Sequence, residues 1–149
     1  MPLPLAERLL LRHGAILVLV AMLTGALIGQ FPSVPLLLSA HLAATMAGTL
    51  MVAVGAGLHK LTLRDTERAW LFRTMAGSGY LNWVATLLGA ALGTNNLTPV
   101  HGAGTAGLAA EGVVGALLVV MVICTFASLG LLIKGTTGGG AQGEGRDAA

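Results

Sequence analysis

Four long apolar segments run through the chain, separated by short polar or charged stretches. Asp, Glu, Lys and Arg are absent from His13 through His59, from Thr74 to Ala110, and from Gly112 to Ile133. An α-helix needs about 20 apolar residues to cross the hydrocarbon core of a bilayer. The pattern therefore predicts four transmembrane helices, at about 14–31, 38–58, 74–93 and 112–133.

Composition supports a membrane protein. The 149 residues include 8 Lys or Arg and 6 Asp or Glu, so 9% are charged, against about 25% in soluble domains. So few charges cannot solvate the surface of a soluble domain, which excludes an ordinary soluble enzyme, a nucleic-acid binder and a disordered protein. We predict an all-α fold, a four-helix transmembrane bundle over residues 1–134, with the Gly-rich segment 135–149 as a disordered tail.

The basic residues predict the orientation of the bundle. With four spans, all of them fall on one side, which the positive-inside rule assigns to the cytoplasm. Both termini are then cytoplasmic, and the protein lies in the inner or plasma membrane. The residues concerned are Arg8, Arg12, Lys60, Arg64, Arg68, Arg73, Lys134 and Arg146.

Polar side chains lie on particular faces of the predicted helices. His41 shares a face of helix 2 with the small residue Gly48, and Asn82 shares a face of helix 3 with Thr86. In hydrocarbon, polar side chains normally face protein or a water-filled cavity, so we expect His41 and Asn82 to face inward. Tyr80 lies nearly opposite Asn82 on helix 3, and the two could share a pocket formed between subunits.

Glycines four residues apart predict close helix contacts. Gly25 and Gly29 form such a pair in helix 1, and Gly89 and Gly93 form another in helix 3. Small residues let helix backbones approach closely in lipid. Both pairs are expected in contacts within the bundle or between protomers.

The histidines are candidates for metal binding, because imidazole is the commonest metal ligand. His41, in the outer third of helix 2, either binds a metal or bonds to a neighbouring helix. His13 and His59 are predicted to be solvated at the cytoplasmic edge. His101, in the outer loop, and Glu111 are secondary candidates. Glu111 either caps helix 4 through the helix dipole or partners His41 or His101.

Several function classes lack their motifs. The chain has no GxxxxGK[ST] loop, HExxH or GxSxG sequence. The predicted helices contain no Asp or Glu, which argues against a proton-coupled small multidrug transporter. His41 remains the main candidate for chemistry.

Two segments resemble a known enzyme family. The first is Ser39-Ala40-His41-Leu42, followed by Met46-Ala47-Gly48. The second is Gly77-Ser78-Gly79-Tyr80-Leu81-Asn82-Trp83-Val84-Ala85-Thr86. Over residues 8–133 the chain resembles hydroxylaminobenzene mutase, a small four-helix membrane isomerase. It is more distantly similar to styrene oxide isomerase.

The resemblance implies an isomerase that rearranges an aryl hydroxylamine to an aminophenol, or acts on a related aryl epoxide or N-oxygenated substrate. Styrene oxide isomerase holds haem b between the subunits of a trimer, with a helix 2 histidine as axial ligand and ferric iron as Lewis acid. By resemblance, His41 is the haem iron ligand, and Tyr80 and Asn82 are catalytic residues near the substrate. The implied partners are a small apolar aromatic substrate, membrane lipid and further copies of the chain, with a trimer as the family's form.

The chain departs from the family at one position. An Asn usually stands six residues after this histidine, and here that residue is Ala47. If the Asn orients the substrate oxygen, this protein lacks that hydrogen-bond donor, and either its substrate differs or Asn82 substitutes.

Two other functions fit the same residues. A bis-His b-type membrane cytochrome would use His13 with His59 at one depth and His41 with His101 at another. A non-catalytic membrane partner subunit would need none of these four histidines.

Overall fold

A computed structural model describes residues 1–98 and 104–137. Within this part of the chain the protein has four α-helices and no strand, which confirms the predicted all-helical bundle. A short 3-10 turn, Leu58–Lys60, follows the second helix. The helices are α1 (Leu3–Ala26), α2 (Val34–Gly57), α3 (Asp65–Leu92) and α4 (Leu108–Thr137).

Three of these helices, α1, α2 with its 3-10 turn, and α4, are long and apolar enough to cross a membrane. The third helix of the chain, α3, is more polar, because Tyr80, Asn82 and Thr86 interrupt its apolar run. Crossing by α3 and the cytoplasmic location of the termini stay predictions. In the described residues, the basic side chains lie toward the end of the bundle where α2 leads into α3.

Every helix begins before its predicted apolar run, and α1 ends at Ala26, short of the predicted 31. α1 begins at Leu3, with Pro4 in the first turn, where proline loses no helical hydrogen bond. α2 begins after Ser33, whose hydroxyl accepts a hydrogen bond from the Leu36 N–H at 3.4 Å. α3 begins at Asp65 because the Glu67 carboxylate accepts from the Arg64 N–H at 2.9 Å. Hydropathy marks the part of a helix that suits hydrocarbon, whereas capping residues mark where it starts.

The helices pack in the order in which they occur. α1 and α2 form the most extensive contact, α3 packs against both, and α4 packs almost entirely against α3. Buried apolar side chains from α1, α2 and α3 form the core. Because α4 does not close against α2, a groove remains between α2 and α4, with α3 as its floor.

Glycine backbones meet where α1 and α2 cross. A Cβ on Gly48 would lie 2.7 Å from the Gly14 carbonyl oxygen, and a Cβ on Gly14 would lie 2.7 Å from the Gly48 carbonyl oxygen. Neither position can accept a side chain without separating the helices. Of the two glycine pairs predicted from sequence, Gly25 packs on His41, but Gly29 lies beyond α1 in a turn with φ of 97°. Gly89 likewise packs tightly, whereas Gly93 ends α3 with φ of 71°.

We expect Gly48→Ala to lower the stability of the bundle. The added methyl overpacks the crossing, a change that typically costs about 1–3 kcal/mol. Thermal unfolding in detergent, followed by circular dichroism, measures the effect. Gly112→Ala is the matched control, because a Cβ there meets nothing within 4 Å and alanine favours helix over glycine by about 1 kcal/mol. Equal melting temperatures for Gly48→Ala and the wild type would contradict the packing argument.

Polar contacts tie the end of α4 to the start of α3. The Lys134 ammonium donates to the Glu67 carboxylate at 2.6 Å, and both the N–H and the hydroxyl of Thr62 donate to the Gly135 carbonyl oxygen. A Cβ on Gly135 would lie 3.2 Å from Leu61 and Leu63. α4 therefore continues through Thr137, into the segment predicted as tail, and residues 138–149 lie outside the described part.

The pKa of Glu67 is lowered from its ordinary 4.5, first by the hydrogen bond from Lys134 and then by that from the Arg64 N–H. A carboxylate with a lowered folded-state pKa stabilises the fold above its unfolded pKa. This stabilisation is lost as the pH falls from 4.5 through the folded value.

Glu67→Gln should therefore flatten the dependence of the melting temperature on pH below 4.5. Lys134→Gln, which removes the other partner, should flatten it in the same direction. Unfolding scans across a pH series in one detergent measure both variants. A Glu67→Gln profile parallel to the wild type would show that this contact contributes nothing to acid sensitivity.

Candidate functional site

The groove between α2 and α4 contains a cavity of about 500 Å³. Its walls are mainly apolar, and α3 supplies its floor through Met75, Ser78, Gly79 and Asn82. A second cavity of about 550 Å³ continues from Asn82 along α4 toward Leu97 and Thr98. Since Asn82 and Met121 line both, the two cavities meet at Asn82.

Asn82 offers the free hydrogen-bond donors of the first cavity. The three hydroxyls that line it donate to carbonyl oxygens of their own helices, Ser78 to Met75, Thr125 to Met121 and Ser128 to Thr125. The Asn82 amide makes no hydrogen bond to any described residue. Because hydroxyl protons are committed to the backbone, a ligand oxygen in this cavity finds its side-chain donor at Asn82.

Ala47 lines the same cavity as Asn82. A Cβ on Gly79, three residues before Asn82, would lie 3.3 Å from the Ala47 Cβ, so α2 and α3 approach closely here. Ala47, where the family usually carries Asn, and the unpaired Asn82 amide therefore face the same cavity. This arrangement suits the expectation that Asn82 takes over from the missing Asn.

His41 lies against the backbone of α1. Its Nδ1 is 2.7 Å from the Ala21 carbonyl oxygen, and since a carbonyl can only accept, Nδ1 carries the proton. A Cβ on Gly25 would lie 2.8 Å from Nδ1, so glycine is needed for the ring to reach α1. In the neutral ring the lone pair is then on Nε2, which has no hydrogen-bond partner among the described residues. Metal-bound histidines are usually oriented by such a bond to the other nitrogen.

The three predicted site residues face different directions. His41 faces α1, on the opposite side of α2 from the groove-lining residues Met46 and Ala47. Asn82 faces the groove, and Tyr80 faces α1 from the other side of α3. One protomer therefore does not bring His41, Tyr80 and Asn82 into one pocket. That Tyr80 and Asn82 could share a pocket between subunits stays a prediction.

Tyr80 contacts a histidine that was predicted to be solvated at the membrane edge. Its hydroxyl lies 3.2 Å from Nδ1 of His13, and the two rings are perpendicular with centroids 5.9 Å apart. His13 lies in the middle of α1 and is half-buried, because α1 starts well before the apolar run. The prediction for His13 was wrong for that reason.

Trp83 supplies a second polar contact between α3 and α1. Its Nε1–H donates to the Thr24 hydroxyl at 2.9 Å, and Thr24 in turn donates to the Val20 carbonyl oxygen. The sequence pattern alone did not identify this bond. With Tyr80, it fixes the rotation of α3 about its axis, and so directs Asn82 into the groove.

The secondary candidates are not gathered around His41. The Glu111 carboxylate accepts from the N–H groups of Asn95 and Asn96, at 2.7 and 3.1 Å, and so orders the connection after α3. The cytochrome hypothesis paired His59 with His13. In the structure, His59 Nδ1 lies 3.7 Å from the Glu7 carboxylate, whereas His13 contacts Tyr80. His101 lies outside the described residues. No cluster of three or more His, Cys, Asp or Glu side chains occurs in the described ranges.

Comparisons with known proteins agree with the resemblance. The family model described as styrene oxide isomerase matches residues 6–137. The chain is 33% identical over 135 residues to hydroxylaminobenzene mutase HabB of Ectopseudomonas oleovorans, a match that covers 86% of this chain and 82% of that protein. No solved structure matches. The matched region reaches all four helices, and both names are those of isomerases.

Proposed function

The chain belongs to the styrene oxide isomerase family, and from that premise we propose that it rearranges an aryl hydroxylamine to an aminophenol within the membrane. A related aryl epoxide or N-oxygenated arene is the alternative substrate. The reaction moves a hydroxyl from nitrogen to the ring and replaces it on nitrogen with hydrogen, so substrate and product are isomers. The observation that carries the proposal is His41, whose Nδ1 bond to Ala21 leaves Nε2 for a metal.

His41 and the residues around it would suit a ligand of the iron in haem b. The bond to Ala21 fixes both the tautomer and the ring orientation, as expected for a metal-bound histidine. The ring is half-buried, on a helix pair whose outer surface includes exposed Leu42 and Leu19. An apolar surface beside an unpartnered imidazole nitrogen suits a flat hydrophobic macrocycle. When bound, ferric haem supplies a Lewis acid that polarises the substrate oxygen.

Asn82 and the groove hold the substrate in this proposal. The Asn82 amide N–H donates to the substrate oxygen, which the apolar walls would otherwise leave unpaired. Methionine side chains of the cavity, among them Met46 and Met121, adapt to an aromatic ring. A rearrangement consumes no water, so a cavity that excludes water suits it.

The complete site then requires two copies of the chain. His41 lies on the outer side of the α1–α2 pair, whereas the groove opens between α2 and α4. Joining two different faces of identical subunits generates a ring when the rotation closes. A homo-oligomer, with a trimer as the form implied by the family, would place the His41 of one copy at the groove of the next.

The haem assignment predicts that the purified wild type shows a Soret band, which His41→Ala abolishes while the protein stays folded. Loss of the imidazole removes the nitrogen that would hold the iron, whereas the backbone contact of α1 with α2 at Gly14 and Gly48 remains. Absorption spectra of protein from haem-replete cells measure this. His59→Ala is the control, because the His59 ring is 55% exposed at the bundle end and should leave the band unchanged. A folded but colourless wild type would refute the haem assignment.

The substrate role predicts that Asn82→Leu lowers kcat/KM for phenylhydroxylamine by about tenfold or more, since a hydrogen bond in an apolar site is lost. Haem content should not change. Thr74→Val is the matched control on α3, because the Thr74 hydroxyl donates to its own helix at Trp70 and lies outside the cavity. Adding Ala47→Asn to Asn82→Leu should recover part of the activity. An Asn82→Leu enzyme as active as the wild type would contradict the role given to this amide.

A further inference from the structure

Tyr80 is the sole tyrosine of the chain, and its hydroxyl is held by one residue of the neighbouring helix. The Oη atom lies 3.2 Å from His13 Nδ1 and 3.5 Å from the His13 carbonyl oxygen. No other hydrogen-bond partner of this hydroxyl occurs in the described residues. The hydrogen-bonding state of Tyr80 therefore depends on His13.

His13 is itself held without a charged partner. Its ring packs on Phe72, at 5.3 Å between centroids and tilted by 60°, and edge-on against Tyr80. None of its described contacts is an ion pair, unlike those of His59, which faces Glu7. The packing of α1 on α3 thus fixes the imidazole plane and directs Nδ1 at the phenol oxygen.

The tautomer of the His13 ring decides which group donates. The carbonyl of His13 lies inside α1, where it already accepts from its own helix, and 3.5 Å is at the limit of a hydrogen bond. Nδ1 is closer and, in the tautomer protonated on Nε2, has a free lone pair. The Tyr80 hydroxyl then donates to Nδ1, and the phenol oxygen keeps its own lone pairs for other donors.

From this geometry we propose that His13 is a positioning residue that holds the Tyr80 hydroxyl as a hydrogen-bond donor and so presents the phenol oxygen as an acceptor. The catalytic meaning of this arrangement rests on the proposed function. Tyr80 does not line the groove of its own protomer, so the proposed function brings it to the substrate only between subunits. There, a phenol oxygen oriented in this way accepts from the N–H and O–H groups of an aryl hydroxylamine. An epoxide carries neither, so His13 would matter more for the hydroxylamine than for an aryl epoxide.

Ultraviolet resonance Raman spectroscopy of the full-length protein tests the contact directly. The intensity ratio of the tyrosine Fermi doublet distinguishes a donating from an accepting phenol, and one tyrosine gives one signal. His13→Phe keeps a ring but removes Nδ1, and His13→Asn places an acceptor oxygen near the position of Nδ1. His59→Phe is the matched control, because that ring does not contact Tyr80.

We expect a donor-type doublet in the wild type, in His13→Asn and in His59→Phe, and its loss in His13→Phe. A wild-type doublet of the accepting type, or one unchanged in His13→Phe, would overturn the inference. With phenylhydroxylamine, His13→Phe should lower kcat about tenfold with little change in KM, the cost of one misdirected hydrogen bond, and His13→Asn should recover most of it.

The two arms separate failure of this inference from failure of the proposed function. If the doublet changes in His13→Phe while kcat does not, His13 holds Tyr80 without positioning it for catalysis, and the proposal is wrong. If the wild type converts no aryl hydroxylamine or epoxide, the proposed function falls. The Raman comparison needs no substrate and would still decide whether His13 sets the state of Tyr80.

Discussion

The approach of two helix backbones at Gly14 and Gly48 is the contact on which the rest of the structure depends. Each glycine lies where a Cβ would meet the carbonyl oxygen of the other, so only glycine allows α1 and α2 to approach this closely. This spacing lets His41 reach the Ala21 carbonyl over Gly25. In lipid, close packing of this kind replaces the hydrophobic drive that joins helices in water.

The same solvent explains how few polar groups remain available for chemistry. Most hydroxyls inside the bundle donate to a carbonyl one turn earlier, as Thr125 and Ser128 do, because an unpaired donor is costly in hydrocarbon. Just after α3, the buried Thr94 Oγ1 and Asn95 Oδ1 atoms have no hydrogen-bond partner within the described ranges. At the groove and on the α1–α2 pair, the Asn82 amide and the His41 Nε2 atom have none among the described residues. Both lie next to apolar surfaces, so each is a place where a ligand can form the bond that the protein does not.

The helices and the candidate residues were predictable, but their neighbours were not. Hydropathy located four helices, yet placed the start of α1 after His13. The length of an apolar run shows which residues suit hydrocarbon, but not where a helix begins, which here is set by Pro2 as N-cap and Pro4 in the first turn. His13 was therefore assigned to solvent, although it lies against Tyr80. The opposite directions of Tyr80 and Asn82 followed from their spacing on one helix and agree with the structure.

Sequence by itself determined the class of the protein: an apolar helical chain with basic residues grouped at helix ends, and motifs that resemble those of membrane isomerases. Hydropathy and charge placement are properties of local segments, and motifs are properties of residue order. None of them depends on which helices are in contact. Only the tertiary structure decided that His41 bonds to α1 and that Ala47 and Asn82 line the same cavity. It also decided that contacts of Trp83 and of His13 with Tyr80 set the orientation of α3 about its own axis. The physical reason is that the rotation of each helix about its axis is set by side chains on its neighbours, and a periodic sequence leaves that rotation undetermined.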